Sequence, residues 1–335
     1  MNWLSSYLTN RQQYVQIDSL LSAYLNVLCG IPQGSILGPK LFIIYINDIC
    51  NVSKILDLIL FADDTNLFCT GDNLKDLCEK VCEELTKLNI WFALNKLSLN
   101  VSKTNYMVFG NRKIVLEYLY ICIDSYVIER VHYTKFLGII IDEHLTWKEH
   151  IMRVNNKLGK SLAIMYKTKH LLNKSALYTL YCSLFLPYVI YCLEIWGNTY
   201  ITNVNSIFVL QKKAIRLISG VGYREHTNDL FYNLNIIKFF DLVKLKICLV
   251  MYKVKKMILP NNLLQLLHLE ENNVYNTRNS NKFRCKYART NIKKMCISVT
   301  GIKLFNTLSE DLINSKNSKT FVKNYKKNMV DSYKT

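Results

Sequence analysis

Two adjacent aspartates, Asp63 and Asp64, stand between two apolar runs in which hydrophobic residues alternate with others. This period of two predicts a strand on each side and a tight turn between them. Ordinary tight turns combine Asp with Gly, Asn or Pro, but the stretch 56–68 contains no glycine. Close carboxylates repel each other unless a cation lies between them, so the pair is a candidate magnesium site. Taken alone, the pair also fits a solvated turn.

A loop with two glycines lies upstream of the aspartates, at residues 30–35, which read Gly-Ile-Pro-Gln-Gly-Ser. Its exposed backbone can approach a ligand closely. A helix can start directly after it, because Ser35 or Gly38 can cap the helix and Pro39 is tolerated in the first turn. Apolar residues then recur at helical spacing, which predicts a helix near 37–49 with one buried face.

The order of these motifs resembles the palm of reverse transcriptases, in which a Gly-x-Pro-Gln-Gly-Ser loop precedes a Phe-Ala-Asp-Asp box. Residues 97–109 resemble the next motif of that family, and residues 135–151 resemble its primer-grip hairpin and the start of its thumb. Residues 3–15 are similar to the segment just before the loop. The sequences of these motifs most resemble those of jockey-like retrotransposons of the LINE type, which lack long terminal repeats.

The resemblance implies a role for particular residues of this chain. Asp63 would bind metal directly, Asp64 would be the supporting carboxylate, and Lys103 would lie near the triphosphate and could protonate pyrophosphate. A surface lysine at the start of a strand is an equally good explanation of Lys103. The remaining implied contacts are those of the nucleotide and template, at Pro32, Gln33, Gly34 and Ser35, and those of the primer grip, at Phe136, Leu137 and Gly138.

The implied activity is that of an RNA-directed DNA polymerase, a nucleotidyltransferase that uses two magnesium ions, an RNA template, a DNA primer and deoxynucleoside triphosphates. The family takes a further aspartate from a strand upstream of the position where this chain begins. Asp18 is the only acidic residue before the Gln-Gly loop, and it does not match that motif. The fingers and an endonuclease are also unmatched, so we expect an N-terminally truncated polymerase with an incomplete metal site and little activity alone. The alternative is a non-catalytic remnant that binds nucleic acid.

The composition agrees with a nucleic-acid partner. The 335 residues carry a formal net charge of +18, and the pI is near 9.3. Such a balance favours phosphate backbones through counterion release. The chain is also rich in Asn, Ile and Tyr, whose codons, like those of Lys, are AT-rich, so genomic base composition can explain part of the charge.

The cysteines favour a reducing compartment. None of the 11 Cys forms a Cys-x-x-Cys pair. Cys78 and Cys82 are one helical turn apart without a nearby His, which favours buried thiols over a zinc site. Residues 1–20 do not resemble a signal peptide. We therefore expect an intracellular protein, nuclear or cytoplasmic or both, that is not secreted.

Residues 178–196 are nearly apolar and about long enough to cross a membrane. Pro187 and Glu194 interrupt the segment, and basic helical segments flank it on both sides. These features favour a buried helix kinked at Pro187, so no membrane is expected as a partner. A membrane-associated helical protein remains the third alternative.

The elements that position these motifs predict an α+β fold. Residues 1–145 are interpreted as the C-terminal part of a polymerase palm, an antiparallel sheet with helices that includes the primer-grip hairpin. Residues 146–258 are interpreted as an all-helical thumb, and 259–335 as a basic C-terminal region with short helices. Within the last region, the strip 270–300 fits either a surface that lies on nucleic acid or a solvated linker.

Overall fold

The computed structural model describes residues 2–28, 30–110, 120–267 and 283–334. The chain divides into two compact units, one of residues 1–106 and 113–131, the other of residues 107–112 and 132–335. Helices and short sheets occur together, which agrees with the predicted α+β class. The predicted subdomain boundaries after 145 and 258 stay predictions.

The first unit combines three helices with short strand pairs. The helices are α1 (Asn2–Leu8), α2 (Gly38–Ile46) and α3 (Leu74–Leu94). The strands are β1 (Gln12–Gln13), β2 (Gln16–Ile17), β3 (Leu20–Leu21), β4 (Leu25–Asn26), β5 (Asp57–Phe61), β6 (Asp64–Phe68), β7 (Asn105–Tyr106), β8 (Cys122–Ile123), β9 (Tyr126–Val127) and β10 (Glu129–Arg130). The pairs β1–β4, β2–β3, β5–β6 and β8–β9 are antiparallel, and β7–β10 is parallel.

Helix α3 supplies much of the core of this unit. It starts at the N-cap Asn73, whose side-chain oxygen accepts a hydrogen bond from the Lys75 N–H at 3.0 Å. Its apolar side chains recur at helical spacing, and Leu85 and Leu88 are buried. They form one cluster with residues of β5, β6 and β8. The helical spacing of apolar residues in the sequence predicts a helix near 73–94, and the structure has it at Leu74–Leu94.

In the described part of the second unit, a hairpin at 133–142 is followed by helices. The hairpin strands are β11 (Tyr133–Phe136) and β12 (Ile139–Asp142), which are antiparallel. The helices are α4 (Lys148–Thr168), α5 (Lys174–Leu180), α6 (Leu186–Ile190), α7 (Leu193–Trp196), α8 (Ile201–Ser219), α9 (Asn228–Asn233), α10 (Phe239–Lys255), α11 (Asn261–Leu267), α12 (Asn291–Met295), α13 (Ile297–Phe305), α14 (Glu310–Ile313) and α15 (Ser318–Asp331).

The core of the second unit is large and centres on α10, which packs against α7, α8, α13 and α15. A buried amide joins three of its segments. The Gln211 side chain donates to the Tyr181 hydroxyl and to the Ile237 carbonyl, both at 3.0 Å, and accepts from the Phe239 N–H at 2.8 Å. Because each of these polar groups is satisfied, the buried amide fixes the arrangement of the helices at little cost.

The apolar segment 178–196 is not one continuous α-helix. A π-helical turn, Tyr181–Phe185, separates α5 from α6, and Pro187 lies in the first turn of α6. Proline lacks the N–H that would continue the ladder, so a bulge at this point is expected. Among the described residues, no helix is both long and apolar enough to cross a membrane. In the basic strip 270–300, residues 270–282 lie outside the described part of the chain.

Candidate active site

Asp63 and Asp64 lie at the tip of the β5–β6 hairpin. Phe61 pairs with Asp64, so the turn consists of two residues, Ala62 and Asp63. Ala62 has a φ of +52°, a conformation in which glycine is usual. A side chain held in this region costs about 1–3 kcal/mol, and such strain is concentrated at functional sites. The predicted hairpin with the carboxylates at its turn is present.

The two faces of this hairpin differ. Leu58, Leu60 and Leu67 face the cluster formed with α3 and with Ile49. Ile49 lies within the segment 37–49 that the sequence predicts as a helix, so the hairpin packs on the end of that segment. In the structure Ile49 belongs to the 3₁₀ turn Asn47–Asn51, which follows α2.

The opposite face is open and carries the carboxylates. Asp63 and Asp64 are exposed, and neither makes an ion pair with another described residue. Phe61, which pairs with Asp64, is also exposed. Two neighbouring carboxylates on a solvent-facing turn can therefore reach a cation without first breaking a salt bridge.

The Gln-Gly loop has the backbone that its glycines predict. Gly30 and Gly34 have φ values of +81° and +78°, and an added Cβ at either would meet no atom within 4 Å. The glycines are therefore required by the backbone conformation, and the space beside them is open. The Ser35 hydroxyl accepts a hydrogen bond from the Gly38 N–H at 3.0 Å, directly before the first turn of α2. Pro39 lies in that first turn, as predicted.

Two side chains that the sequence did not single out hold this loop. The Tyr7 hydroxyl donates to the Ser35 hydroxyl at 2.5 Å, and the Arg11 guanidinium donates to the Gly30 carbonyl. Pro32 is half-buried, whereas Gln33 and Gly34 are exposed. The loop thus presents Gln33 and Gly34 to solvent from an anchored base.

Lys103 and Asp18 lie on local turns. Lys103 ends the 3₁₀ turn Val101–Lys103, is exposed, and forms no ion pair with Asp63 or Asp64 in the described structure. Asp18, with a φ of +51°, lies in the turn between β2 and β3. Asp is one of the few residues that tolerate this conformation, which explains Asp18 without a catalytic role.

The predicted primer-grip residues form the β11–β12 turn, in the second unit. Phe136 pairs with Ile139, and the two turn residues, Leu137 and Gly138, have φ values of +44° and +90°. Positive φ at both positions defines a type I′ turn, which matches the twist of a hairpin. Tyr191 closes over it, because its hydroxyl donates to the Leu137 carbonyl and its ring lies 3.3 Å from the position of a Cβ on Gly138. No rule of sequence spacing connects Tyr191 with this turn, because more than fifty residues separate them.

His150 supports the base of the same hairpin. Its Nδ1 accepts a hydrogen bond from the Ile140 N–H at 3.3 Å, and its ring packs edge-on against Trp196, 5.2 Å between centroids. Burial, with a smaller contribution from Arg153, lowers the pKa of His150 to about 4. The side chain is therefore neutral at pH 7 and acts as an acceptor in the core.

Asp142 ends the hairpin and shapes the entry to α4. Its carboxylate accepts from the N–H groups of His144, Thr146 and Trp147 at 3.2, 2.9 and 2.8 Å. Three backbone N–H groups thus satisfy both oxygens of this buried carboxylate. The acidic side chain thus has a structural explanation.

No further metal ligands gather in the described parts of the chain, where no group of three or more His, Cys, Asp or Glu side chains could hold an ion. Cys78 is buried and Cys82 half-buried, and both are free thiols. Burial, with a contribution from Cys82, raises the pKa of the Cys78 thiol, which opposes the thiolate that a metal would need.

The comparisons with known proteins agree with the motifs. Residues 1–141 match the family described as reverse transcriptase (RNA-dependent DNA polymerase). The chain is 27% identical over 245 residues to the probable RNA-directed DNA polymerase from transposon X-element of Drosophila melanogaster, covering 71% of this chain and 27% of that protein. It is 26% identical to the RNA-directed DNA polymerase from mobile element jockey of Drosophila funebris (72% and 27% covered) and 25% identical to that of Drosophila melanogaster (79% and 30%). No solved structure shows a significant match.

Residues 1–141 are therefore similar to reverse transcriptases, and the match covers less than half of the chain. The similarity to jockey and the X-element supports, more narrowly, a jockey-like retrotransposon reverse transcriptase of the LINE type. The chain spans less than a third of the length of these relatives.

Proposed function

We propose that this chain contributes one side of the nucleotidyl-transfer centre of an RNA-directed DNA polymerase. The observation that carries the proposal is the β5–β6 hairpin, with Asp63 and Asp64 exposed at a turn whose Ala62 has left-handed backbone. Two carboxylates side by side on an open turn offer the oxygen ligands that a divalent cation takes at a nucleotide site. The partners are an RNA template, a DNA primer and deoxynucleoside triphosphates, in an intracellular compartment.

The donor set fits magnesium at a nucleotide site. Mg²⁺ is commonly held there by one or two carboxylates, with water and substrate phosphates as the other ligands. Asp63 would be the direct ligand and Asp64 the supporting carboxylate. When bound, the metal lowers the pKa of the primer hydroxyl and neutralises charge on the leaving pyrophosphate.

The other residues position the substrates in this proposal. Gln33 and Gly34 lie on an open, anchored loop that a base pair can approach closely. Phe136, Leu137 and Gly138 form a rigid turn to hold the primer end. Lys103 is exposed and could donate a proton to pyrophosphate once substrate is bound.

A non-catalytic nucleic-acid-binding role is the second candidate. Its support is that the carboxylates described at the candidate centre come from a single hairpin. The two-metal arrangement takes a further carboxylate from a separate strand, so we expect no robust primer extension by the 335-residue chain alone. Clear extension that is lost in Asp63→Ala would instead place the second carboxylate within this chain, with Asp18 as the first one to test.

The proposed metal site can be tested in this chain by paramagnetic broadening of amide resonances with Mn²⁺, a substitute for Mg²⁺. We expect the broadening to centre on residues 61–66 and to be lost in Asp63→Asn. Asp57→Asn is the matched control, because Asp57 is exposed at the opposite end of the same hairpin. Equal broadening at the turn in Asp63→Asn and the unsubstituted chain would refute the assignment.

A further inference from the structure

Tyr191, which follows α6 in the second unit, contacts both residues of the β11–β12 turn. Its hydroxyl donates a hydrogen bond to the Leu137 carbonyl, and its ring lies 3.3 Å from the position of a Cβ on Gly138. Tyr191 is 50% exposed, so part of its surface is open to solvent beside the turn. A ligand bound at the turn can therefore reach the Tyr191 side chain as well.

The Leu137 carbonyl belongs to the central peptide plane of the turn. The two strands end at the pair Phe136 and Ile139, so this carbonyl lies between them and outside the ladder of strand hydrogen bonds. Leu137 has a φ of +44°, a conformation that an L side chain rarely adopts. The hydrogen bond from Tyr191 holds the carbonyl, and with it the peptide plane, in the type I′ orientation.

The helical core holds Tyr191 in its turn. The Tyr191 N–H donates to the Pro187 carbonyl at 3.2 Å, and the Tyr191 carbonyl accepts from the Trp196 indole N–H at 2.8 Å. Trp196 is fully buried, and its ring packs edge-on against His150, which accepts from the Ile140 N–H of β12. A chain of contacts therefore runs from the tip of the hairpin through Tyr191 and the core back to the second strand.

We infer that Tyr191 is a positioning residue for the primer terminus and that it acts through the β11–β12 turn. The inference deepens the proposed function and rests on its assignment of Phe136, Leu137 and Gly138 to the primer end. These three residues make the contacts, and Tyr191 fixes the orientation in which the turn presents them. Such alignment matters because a misplacement of about 1 Å can cost about a hundredfold in rate. Tyr191 lies outside the segment 135–151 that the sequence relates to the primer grip.

The test uses the full chain and an RNA–DNA duplex with a recessed primer 3′ end. The fluorescence of a 2-aminopurine at the terminal primer nucleotide reports how that base is held, and the same probe at an internal position measures overall affinity. Tyr191→Phe keeps the ring and removes only the hydroxyl. Tyr188→Phe is the matched control, because Tyr188 is an exposed tyrosine of the adjoining helix α6 and also loses only a hydroxyl.

We expect Tyr191→Phe to reduce the change in terminal fluorescence by about threefold or more, because a hydrogen bond that fixes the turn is lost. Its affinity for the duplex should stay within about twofold, since contacts with the phosphate backbone dominate binding. Tyr188→Phe should change neither quantity. Gly138→Ala should reproduce the effect of Tyr191→Phe at similar affinity, because a Cβ at this φ of +90° would press on the Tyr191 ring.

A terminal response in Tyr191→Phe equal to that of the unsubstituted chain would overturn the inference. Tyr191 would then have a structural role only, even if the variant unfolded at a lower temperature. Equal losses of terminal response and affinity would also overturn it, because weaker binding would explain both, and so would the same loss in Tyr188→Phe. A terminal probe that does not respond to the unsubstituted chain would overturn the inference together with the primer-grip assignment.

This assay is independent of the metal site because it contains neither divalent metal nor nucleotide. Failure of the Asp63 assignment would appear in the Mn²⁺ experiment and would leave the terminal response unchanged. Failure of the Tyr191 inference would leave Mn²⁺ binding at Asp63 unchanged, because the two readouts concern different residues.

Discussion

The contacts of His150 explain how a histidine is accommodated in the protein interior. The imidazole is buried, accepts one backbone hydrogen bond through Nδ1, and packs against Trp196. Protonation would place a donor opposite the Ile140 N–H and a charge in the core. Burial, with a smaller contribution from Arg153, lowers the pKa of His150 from 6.5 to about 4.

The residue-scale prediction concerns stability against pH. Because the folded-state pKa of His150 lies below its unfolded value, its contribution is fully present above pH 6.5 and is lost as the pH falls towards 4. Over that window the free energy of unfolding should fall by an amount on the order of 3 kcal/mol from this group.

The measurement is urea unfolding of the wild type and of His150→Asn, in which the amide oxygen can replace Nδ1 as acceptor. The variant should be less stable at pH 7, and the gap between the two proteins should shrink as the pH falls to 4. A gap that stays constant over this range would show that His150 does not titrate as described.

At the scale of elements, long amphipathic helices could be predicted from the sequence and short irregular segments could not. Apolar residues at helical spacing predict helices near 73–94, 147–170, 203–219 and 239–258. The helices α3, α4, α8 and α10 lie within a few residues of these bounds. The β5–β6 hairpin followed from its alternation and its central Asp pair. These elements are local, so nearby residues suffice to predict them.

The features that could not be predicted from the sequence depend on contacts between segments that are far apart in the chain. The π-helical turn Tyr181–Phe185 arises where Pro187 meets a densely packed core, and the Tyr191 contact with the β11–β12 turn joins segments that no spacing rule connects. The anchoring of the Gln-Gly loop by Tyr7 and Arg11 was missed for the same reason. Such positioning contacts depend on tertiary packing, which a single sequence does not show.

The element-scale prediction compares two glycines within the helical unit. A Cβ on Gly197 would lie 2.6 Å from the Leu193 carbonyl oxygen and 2.9 Å from Val243, whereas one on Gly159, inside α4, would meet no atom within 4 Å. Gly197→Ala should therefore destabilise the protein by about 1–3 kcal/mol through overpacking. Gly159→Ala should stabilise it by about 1 kcal/mol, since alanine favours helix.

Thermal unfolding of the two variants and the wild type is the appropriate measurement. Opposite shifts of the melting temperature are expected. A Gly197→Ala protein as stable as the wild type would contradict the close packing of α7 against α10.

At the scale of the whole molecule, the two units differ in how much apolar surface they bury. The second unit holds a large aromatic core, with Phe185, Trp196 and Phe321 fully buried. The first unit exposes large apolar side chains such as Trp3, Leu28 and Ile44. Half of the residues are apolar, which is ample for a core. The uneven division of the buried residues between the two units depends on the tertiary structure.

The molecule-scale prediction concerns nucleic acid. With a net charge of +18, the chain should bind RNA and RNA–DNA duplexes with little sequence preference, and its affinity should fall steeply with salt. Titrations of labelled duplexes of different sequence at several salt concentrations measure both properties. Affinity that is insensitive to salt would argue against binding through the phosphate backbone.

The most direct measurement of the central claim is primer extension by a jockey polymerase of Drosophila melanogaster in which residues 1–141 of this chain replace the matching segment. The graft should extend a DNA primer on an RNA template with magnesium. Asp63→Asn in the graft should reduce extension by about a hundredfold or more, because the metal loses its direct ligand. Asp57→Asn, at the other end of the hairpin, should keep it within a few fold. An Asp63→Asn graft that extends as well as the unsubstituted graft would contradict the assignment of this hairpin as the polymerase centre.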